Sequence, residues 1–467
     1  MASVIKPYSP TDLKKVINEL ATTLGDRIHL SRAVCEQHGQ GEDSYGCLPP
    51  DAVIYPFSNE EIAQILKLCN QYRIPVIPYG AGSSVEGHLL AVKGGICIDL
   101  SEMNHVIQIN AKDMDCRVQA GVTREQLNLA LRYDGLFFPI DPGANATVGG
   151  MASTQASGTN AVRYGTMSDA VLGLTVITAD GSIVKTGGRA RKSAAGYDLT
   201  QLYVGSEGTL GIITEVQLRL HPTPEIIRAA VCSFDNLEDC VNAVICAMQS
   251  SIPMARIELL NALQMQACID YSNLQNVSAK PTLFMEFHGS TASVTEQIEA
   301  MQTICGEFSA SEFSWAETTE QRNTLWTARH HAYYAAHHLQ SGAKVLTTDV
   351  CVPISKLAVS LLYAEKIAEE SGLQCPILGH VGDGNYHVLI VFDPTNNKQT
   401  ENAHLLAKHI VDSALQLGGT CTGEHGIGFG KKDALLEEHG SAVFIMKKIK
   451  QKLDPNNIMN PGKIFDL

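Results

Sequence analysis

DPGANATVGGMASTQASGTNAVRYG, residues 141–165, is the stretch whose reading decides the fold. Gly, Ala, Ser and Thr dominate it, and its few apolar residues follow neither the helical nor the strand period, so it is not expected to contribute core. So long a run of small side chains suits backbone contact with an extended ligand. A related loop lies upstream, GAGSSVEGH at 80–88, directly after the strand-like IPVIPYG at 74–80. Its backbone N–H groups suit the wrapping of a pyrophosphate. It is not a dinucleotide fingerprint of the Rossmann kind, because the spacing from Gly80 and Gly82 to Gly87 is wrong and no helix starts there. Taken alone, it reads more simply as a glycine-rich turn between strands.

Around these tracts short strands predominate. SNEEIAQILKLCNQY at 58–72 reads as a helix with a Ser58–Glu61 capping box and with Ile62, Ile65, Leu66 and Cys69 on one face. Strands follow at 96–100, 105–109 and 116–120, then a helix near 124–133. Residues 172–186 form a hairpin turning at Asp180-Gly181, and 202–220 form a glycine-rich turn feeding a strand. Pro222 and Pro224 punctuate a domain boundary. Beyond it, amphipathic helices starting at 237, 294, 355 and 404 alternate with strands at 254–260, 282–288 and 345–350. This predicts an α+β domain with helices on one face of an antiparallel sheet. A further helix from 443 and a short tail end the chain.

Two glycine-punctuated stretches carry the candidate chemistry. CPILGHVGDGNYHVLIVF at 375–392 reads as a hairpin whose turn is Gly382, Asp383, Gly384 and Asn385. That register pairs Val381 with Tyr386 and sets His380 directly opposite His387, with Cβ atoms roughly 5 Å apart. In CTGEHGIGFG at 421–430, Glu424 adds a carboxylate between glycines. Two imidazoles and a carboxylate with open positions suit a divalent metal, zinc or manganese, that also holds a substrate. His425 is then the natural general base near neutral pH. No packing role is evident for Gly, Glu, His and Gly in succession, which separates this cluster from a chance pair among sixteen histidines. Cys421 is read as a small core residue beside it.

Composition bounds the rest. The chain of 467 residues has room for two or three domains, and 45% hydrophobic with 18% charged residues is an ordinary globular balance. Thirty-five Lys and Arg against 49 Asp and Glu give a net charge of -14, which argues against a nucleic-acid partner. No apolar run reaches the roughly 18 to 20 residues of a membrane span, and MASVIKPYSPTDLKK lacks a signal-peptide core. A cytoplasmic protein is expected, with peripheral membrane contact left open. Thirteen cysteines without a CxxC pair suit reduced, mostly buried thiols.

YGAGSSVEGH at 79, PGANATVGGMASTQASGTNAVRYG at 142, GSEGTLG at 205, GHVGDGNYH at 379, GEHGIG at 423 and NPGK at 460 occur in this order. Together they resemble the FAD-dependent 2-hydroxyacid dehydrogenases of the vanillyl-alcohol-oxidase fold, within which the chain is most similar to the D-lactate dehydrogenases that use a cytochrome or another acceptor. The similarity runs from about residue 45 to the C-terminus, and it changes the reading of the first loop. It implies a segment 1–45 packed on an FAD-binding domain of two α+β subdomains at 46–222, a substrate and metal domain at 223–425, and a helical segment 426–467 that returns to the FAD domain. FAD would be bound without a covalent link. Gly80, Ala81, Gly82, Ser83, Ser84 and Gly87 would hold its pyrophosphate, with His88 alongside. Pro142, Gly143, Thr147, Gly149, Gly150, Ser153, Gly158, Gly208, Ile213 and Asn460 would add contacts.

The resemblance also implies a mechanism. The metal at His380, His387 and Glu424 receives the carboxylate and hydroxyl of a 2-hydroxy acid, His425 takes the hydroxyl proton, and a hydride passes to the flavin. Arg329, in LWTARHHAYYAA at 325–336, matches an arginine that grips the substrate carboxylate. Similar enzymes acting on D-2-hydroxyglutarate recognise its second carboxylate through a threonine, a lysine and an asparagine, where this chain has Tyr333, Thr347 and Leu389. A distal carboxylate would lack cationic partners here, which favours D-lactate or a modestly longer aliphatic acid. The expected partners are that substrate and an electron acceptor, whether a quinone, a cytochrome or an electron-transfer protein. A glycolate-oxidising catalytic subunit, a D-2-hydroxyglutarate dehydrogenase and a flavin-dependent transferase of the alkyl-glycerone-phosphate type remain as alternatives.

Overall fold

The computed structural model describes residues 6–43, 45–273, 278–316, 320, 322, 326, 327, 329 and 331–467. It divides into two compact units, one of Met1–Ser157, Gly165–Thr223 and Glu424–Leu467, the other of Gly158–Tyr164 and Pro224–Gly423.

Among its described residues the first unit holds two larger sheets and a short antiparallel pair of Leu136–Phe137 with His221–Pro222. Ile28–His29, Ala52–Ile54, Ile96–Asp99 and Val76–Tyr79 lie in that spatial order, and the last three run parallel. The helix Asn59–Tyr72 connects two of them and buries Ile62, Ile65, Leu66 and Cys69 against this sheet. Ser58 caps it by accepting the Glu61 N–H at 3.2 Å, but the expected capping box is only half formed. The Glu61 carboxylate instead accepts the Phe57 N–H and a forked pair from Arg27, all at 2.7 Å. A guanidinium outcompetes one backbone donor because both of its bonds are charge-assisted.

The second sheet of this unit is antiparallel, in the order Val106–Asn110, Asp115–Gln119, Ile212–Arg219, Val171–Ile177, Ile183–Gly187. The hairpin at Asp180-Gly181 forms as read, with Ile177 opposite Ile183. The small-residue tract, by contrast, does contribute core. Thr147 caps a helix Val148–Ser153 through the Gly150 N–H, and Val148, Met151 and Ala152 are buried among Cys116, Val118 and Leu127. A Cβ on Gly149 would meet Ala120 Cβ at 2.5 Å. The missing side chains therefore serve close packing of helix on strand, which a helical or strand period cannot reveal in six residues.

The C-terminal helix Ala442–Leu453 belongs to this unit, and a buried ion pair fixes its end. Lys450 donates to Asp454, to the Thr209 carbonyl at 2.8 Å and to the Met459 carbonyl at 2.8 Å. Asp454 also accepts the N–H groups of Ile458 and Met459, at 3.0 and 2.8 Å. The tail then pairs with Val76, which donates to Ile458 O at 2.7 Å and accepts from Asn460 N at 2.8 Å. Thus Asn460 is set on the edge of the parallel strands.

In the second unit one antiparallel sheet runs in the order Ala310–Ala316, Ile226–Phe234, Thr282–Gly289, Met254–Leu260, Ile377–Gly379, Asn385–Phe392, Lys344–Thr347, with Val350–Cys351 also pairing Asn385–Phe392. The helices Leu237–Gln249, Thr291–Glu307, Leu357–Ser371 and Asn397–Gln416 cover one face. The expectation of a single helical layer is corrected by the other face. There Ala262–Ser272 and Ala332–His338 pack on Leu260, Phe284, Leu378, Leu389 and Val391. Every residue of Asn385–Phe392 is buried, and a strand covered on both sides loses the alternation that would disclose two layers. None of the thirteen cysteines is in a disulfide, and no described helix is long and apolar enough to cross a membrane.

Because Lys450 and Asp454 are 3% and 0% exposed, removing one partner leaves an unpaired buried charge. Asp454→Ala is expected to lower unfolding stability by about 3 to 5 kcal/mol, read from the urea midpoint at constant slope. A shift below about 1 kcal/mol would mean the pair is not what holds the tail.

Candidate active site

In the second unit the register of the hairpin differs from the sequence reading. Leu378, not His380, lies opposite His387, and Ile377 opposite Val388. The turn begins two residues earlier, with Asp383 N bonded to His380 O at 3.0 Å and Gly384 N to Val381 O at 3.2 Å. Asn385, expected in the turn, is drawn into the strand by pairing with Cys351. A shift of two keeps every side chain on its face. The two imidazoles consequently still meet, as diagonal neighbours with ring centroids 5.6 Å apart and planes at 85°.

A carboxylate that the sequence reading passed over as part of a strand organises this face. Leu259 pairs with Gly379 and Leu260 with Leu378, so Glu258 falls opposite His380. Glu258 Oε1 lies 2.7 Å from His380 Nδ1, and Oε2 accepts Nε and Nη2 of Arg329 at 2.9 and 2.7 Å. Burial pushes the Glu258 carboxyl up, but the charges and hydrogen bonds of His380 and Arg329 outweigh it and hold the group below its ordinary value of 4.5. The Nε–Nη2 edge of Arg329 is thereby committed. Among the described residues the Nη1–Nη2 edge of the guanidinium is left as the fork that a substrate carboxylate would meet.

His387 is oriented in the same manner, with Nδ1 3.0 Å from the Thr348 carbonyl. Acceptors on both Nδ1 atoms assign the ring protons there and make Nε2 the nitrogen a metal would take. Asp349, also absent from the sequence reading, lies 3.7 Å from His387 Nδ1. Its carboxylate accepts Asn385 Nδ2 at 2.9 Å and Thr422 Oγ1 at 2.7 Å, and its carbonyl accepts Gly423 N at 2.9 Å. A side chain on Gly423 would strike Asn385. That glycine therefore does have a packing role, contrary to the sequence reading. Thr347 and Leu389 are register partners, and Leu389 is buried among apolar residues against which Tyr333 packs.

The first unit holds the remaining candidates except Gly158, which belongs to the second unit near its short helix Ala161–Tyr164. The two small-residue tracts touch, since a Cβ on Gly80 would strike Thr147 Oγ1. Gly82, Gly87 and Gly208 have φ of +76°, +71° and +73°, values open to glycine. Among the described residues nothing lies within 4 Å of a Cβ built on Gly143, so no close approach by them explains that glycine. Ala81, Ser83, Ser84, Pro142, Gly150 and Ser153 lie within the same two tracts. Ile213 is buried at the start of Ile212–Arg219, beside a bulge. Asn460 donates to the carbonyls of His88 and Glu207 at 3.3 and 2.9 Å. Glu424 Oε2 accepts Ser157 Oγ at 2.9 Å, and His425 Nε2 is 3.6 Å from Glu424 Oε1. Cys421 is fully buried, as read.

Comparison with known proteins agrees with this architecture. A model of the FAD binding domain matches residues 50–187, and a model of the C-terminal domain of FAD linked oxidases matches residues 223–464. The chain is 47% identical over 460 residues to the probable mitochondrial D-lactate dehydrogenase of Danio rerio, covering 97% of this chain and 92% of that one. It is 45% identical over 455 residues to the mitochondrial D-lactate dehydrogenase (cytochrome) of Arabidopsis thaliana, covering 97% and 80%. Among solved structures, p-cresol methylhydroxylase with substrate bound shares the fold at a TM-score of 0.82 and 17% identity, covering 99% of each chain. The chain belongs to the FAD-linked oxidases of the vanillyl-alcohol-oxidase fold, and it is a flavin-dependent oxidoreductase.

Glu258→Gln is expected to cost on the order of 3 kcal/mol at neutral pH, since it leaves the Arg329 guanidinium without its buried counter-charge and His380 Nδ1 without its charged acceptor. The sign with pH follows from the lowered carboxyl. Its stabilisation is full above the ordinary value of 4.5 and is lost as pH falls through the lower folded value. Urea titrations of parent and variant should therefore converge in acid, and a constant gap would contradict the assignment.

Proposed function

We propose that the chain oxidises D-lactate, or a similarly short D-2-hydroxy acid, to the 2-oxo acid. In this reading FAD is bound without a covalent link, a divalent metal is held by His380, His387 and Glu424, and electrons pass to an acceptor other than NAD. The observation that carries it is the oriented pair of imidazoles, each with Nδ1 against an acceptor. Glu424 follows Gly423, which is itself fixed on Asp349 beside His387, so chain continuity favours the carboxylate as third ligand. Two neutral imidazoles and one carboxylate are an ordinary donor set for zinc or manganese. The flavin assignment is supported by the buried Ser84 Oγ, in the loop assigned to the pyrophosphate, which has no hydrogen-bond partner among the described residues.

When bound, the metal supplies a Lewis acid for the substrate oxygens and the flavin supplies a two-electron acceptor. The chain's own residues do the rest. His425 removes the hydroxyl proton, Arg329 steers the carboxylate through its Nη1–Nη2 edge, and Glu258 keeps both Arg329 and His380 in place. Ser157 holds the Glu424 oxygen that it touches. Substrate length is limited by Leu389, Thr347 and Tyr333, where a second carboxylate would be buried against hydrocarbon. The two relatives named above are D-lactate dehydrogenases by name, which supports the same choice.

Elemental analysis should find a divalent metal in the parent that is lost in His387→Ala while FAD is retained; equal metal in both would remove His387 from the ligand set. His425→Ala should keep metal and FAD but slow anaerobic bleaching of the flavin by D-lactate about 10² to 10⁴-fold. The parent should favour D-lactate over D-2-hydroxyglutarate by a wide margin in kcat/KM, and comparable values would show that a basic group reaches the pocket.

A further inference from the structure

The loop that begins with Glu424 and His425 is gripped in the first unit by a carboxylate that none of the steps above uses. Glu207 is 6% exposed. Its Oε1 accepts the Ile427 N–H and its Oε2 the Gly428 N–H, both at 2.7 Å, while His88 Nε2 lies 3.1 Å from Oε2. The loop is shaped to this grip. Gly426 has φ +81°, and a Cβ there would lie 2.7 Å from Glu207 Oε1 and 3.1 Å from His88 Nε2. Beyond the grip, Phe429 N donates to Glu86 O at 2.7 Å and Ile464 N to Gly428 O at 2.9 Å.

Glu207 is itself constrained. It holds φ 53°, in a turn where Gly205 and Gly208 have φ 76° and 73°. Asn460 fastens its carbonyl at 2.9 Å, and Glu207 N donates to Ser153 O at 2.8 Å. A non-glycine residue persists in this region when its surroundings over-determine it. Burial pushes the Glu207 carboxyl up, yet His88 and the two N–H groups hold it below its ordinary value. The ionised form makes both loop bonds charge-assisted.

We propose that Glu207 is a positioning residue for His425, fixing the amides two and three residues after it so that the imidazole is presented in one place. This rests on the reading of His425 as the base. A displacement of about 1 Å at a reacting group can cost about 10² in rate, so loss of the grip should appear in the chemical step and not in substrate affinity.

The test compares Glu207→Gln and Glu207→Asp with the parent, all as FAD-loaded full-length protein. Amide hydrogen exchange reads the loop directly. Exchange at Ile427 and Gly428 should rise about tenfold or more in the Gln variant and less in the Asp variant, which keeps the charge. Anaerobic flavin bleaching at saturating D-lactate should fall about 10²-fold in the Gln variant, be partly rescued in the Asp variant, and keep a half-saturating D-lactate concentration within about threefold. Unchanged exchange at these two amides overturns the proposal, whatever the activity. Accelerated exchange with normal bleaching also overturns it, provided His425→Ala is slow. If His425→Ala bleaches normally, the reading of the base fails instead, and the exchange data still judge the grip. Should Glu207→Gln fail to retain FAD, exchange in Glu207→Asp decides: parent-like protection at both amides overturns the proposal.

Discussion

A carboxylate shut away from water must be met by positive charge or by N–H groups, and in each unit of this protein one of the buried carboxylates anchors residues or a loop assigned to the chemistry. Glu258 is 0% exposed in the second unit and is answered by Arg329 and His380. Glu207 in the first is answered by His88 and two backbone amides. Desolvating either carboxylate costs several kcal/mol, which only good geometry offsets. The partners are therefore held tightly, and they are the residues or loops to which chemistry is assigned.

The second unit shows how a sheet divides one face between two tasks. Glu258 and His387 share a face with Leu260, Leu378, Leu389 and Val391. Helices cover the apolar part, and the polar part satisfies its own hydrogen bonds by cross-strand pairing. A polar group placed among those leucines without a partner would cost as much as the paired groups save. The same sheet thus offers oriented imidazoles at one end and a hydrocarbon wall at the other.

Glycine in this chain has more than one meaning. Gly423, Gly426 and Gly149 are required because neighbouring side chains or backbone leave no room for a Cβ. Gly143 meets no such demand from the described residues. The first kind reports packing of one segment on another, and the second is what backbone approach by a ligand would leave behind. Sequence alone presents both as the same letter.

What the sequence by itself determined was local and periodic. The helix faces at 59–72 and 237–249, the hairpin at Asp180-Gly181 and the proximity of His380 and His387 were legible from spacing and turn residues, while the FAD-linked oxidase was legible only through the resemblance that the ordered motifs carry. Tertiary structure decided the rest because it depends on contacts between distant segments. The two-residue register shift arises from pairing with Cys351, the second helical layer hides behind a strand buried on both faces, and the small-residue tract becomes core by meeting Ala120. Glu258 and Glu207, each one letter in a strand or a turn, acquired their roles only when burial far from water forced them to find partners more than seventy residues away in the chain.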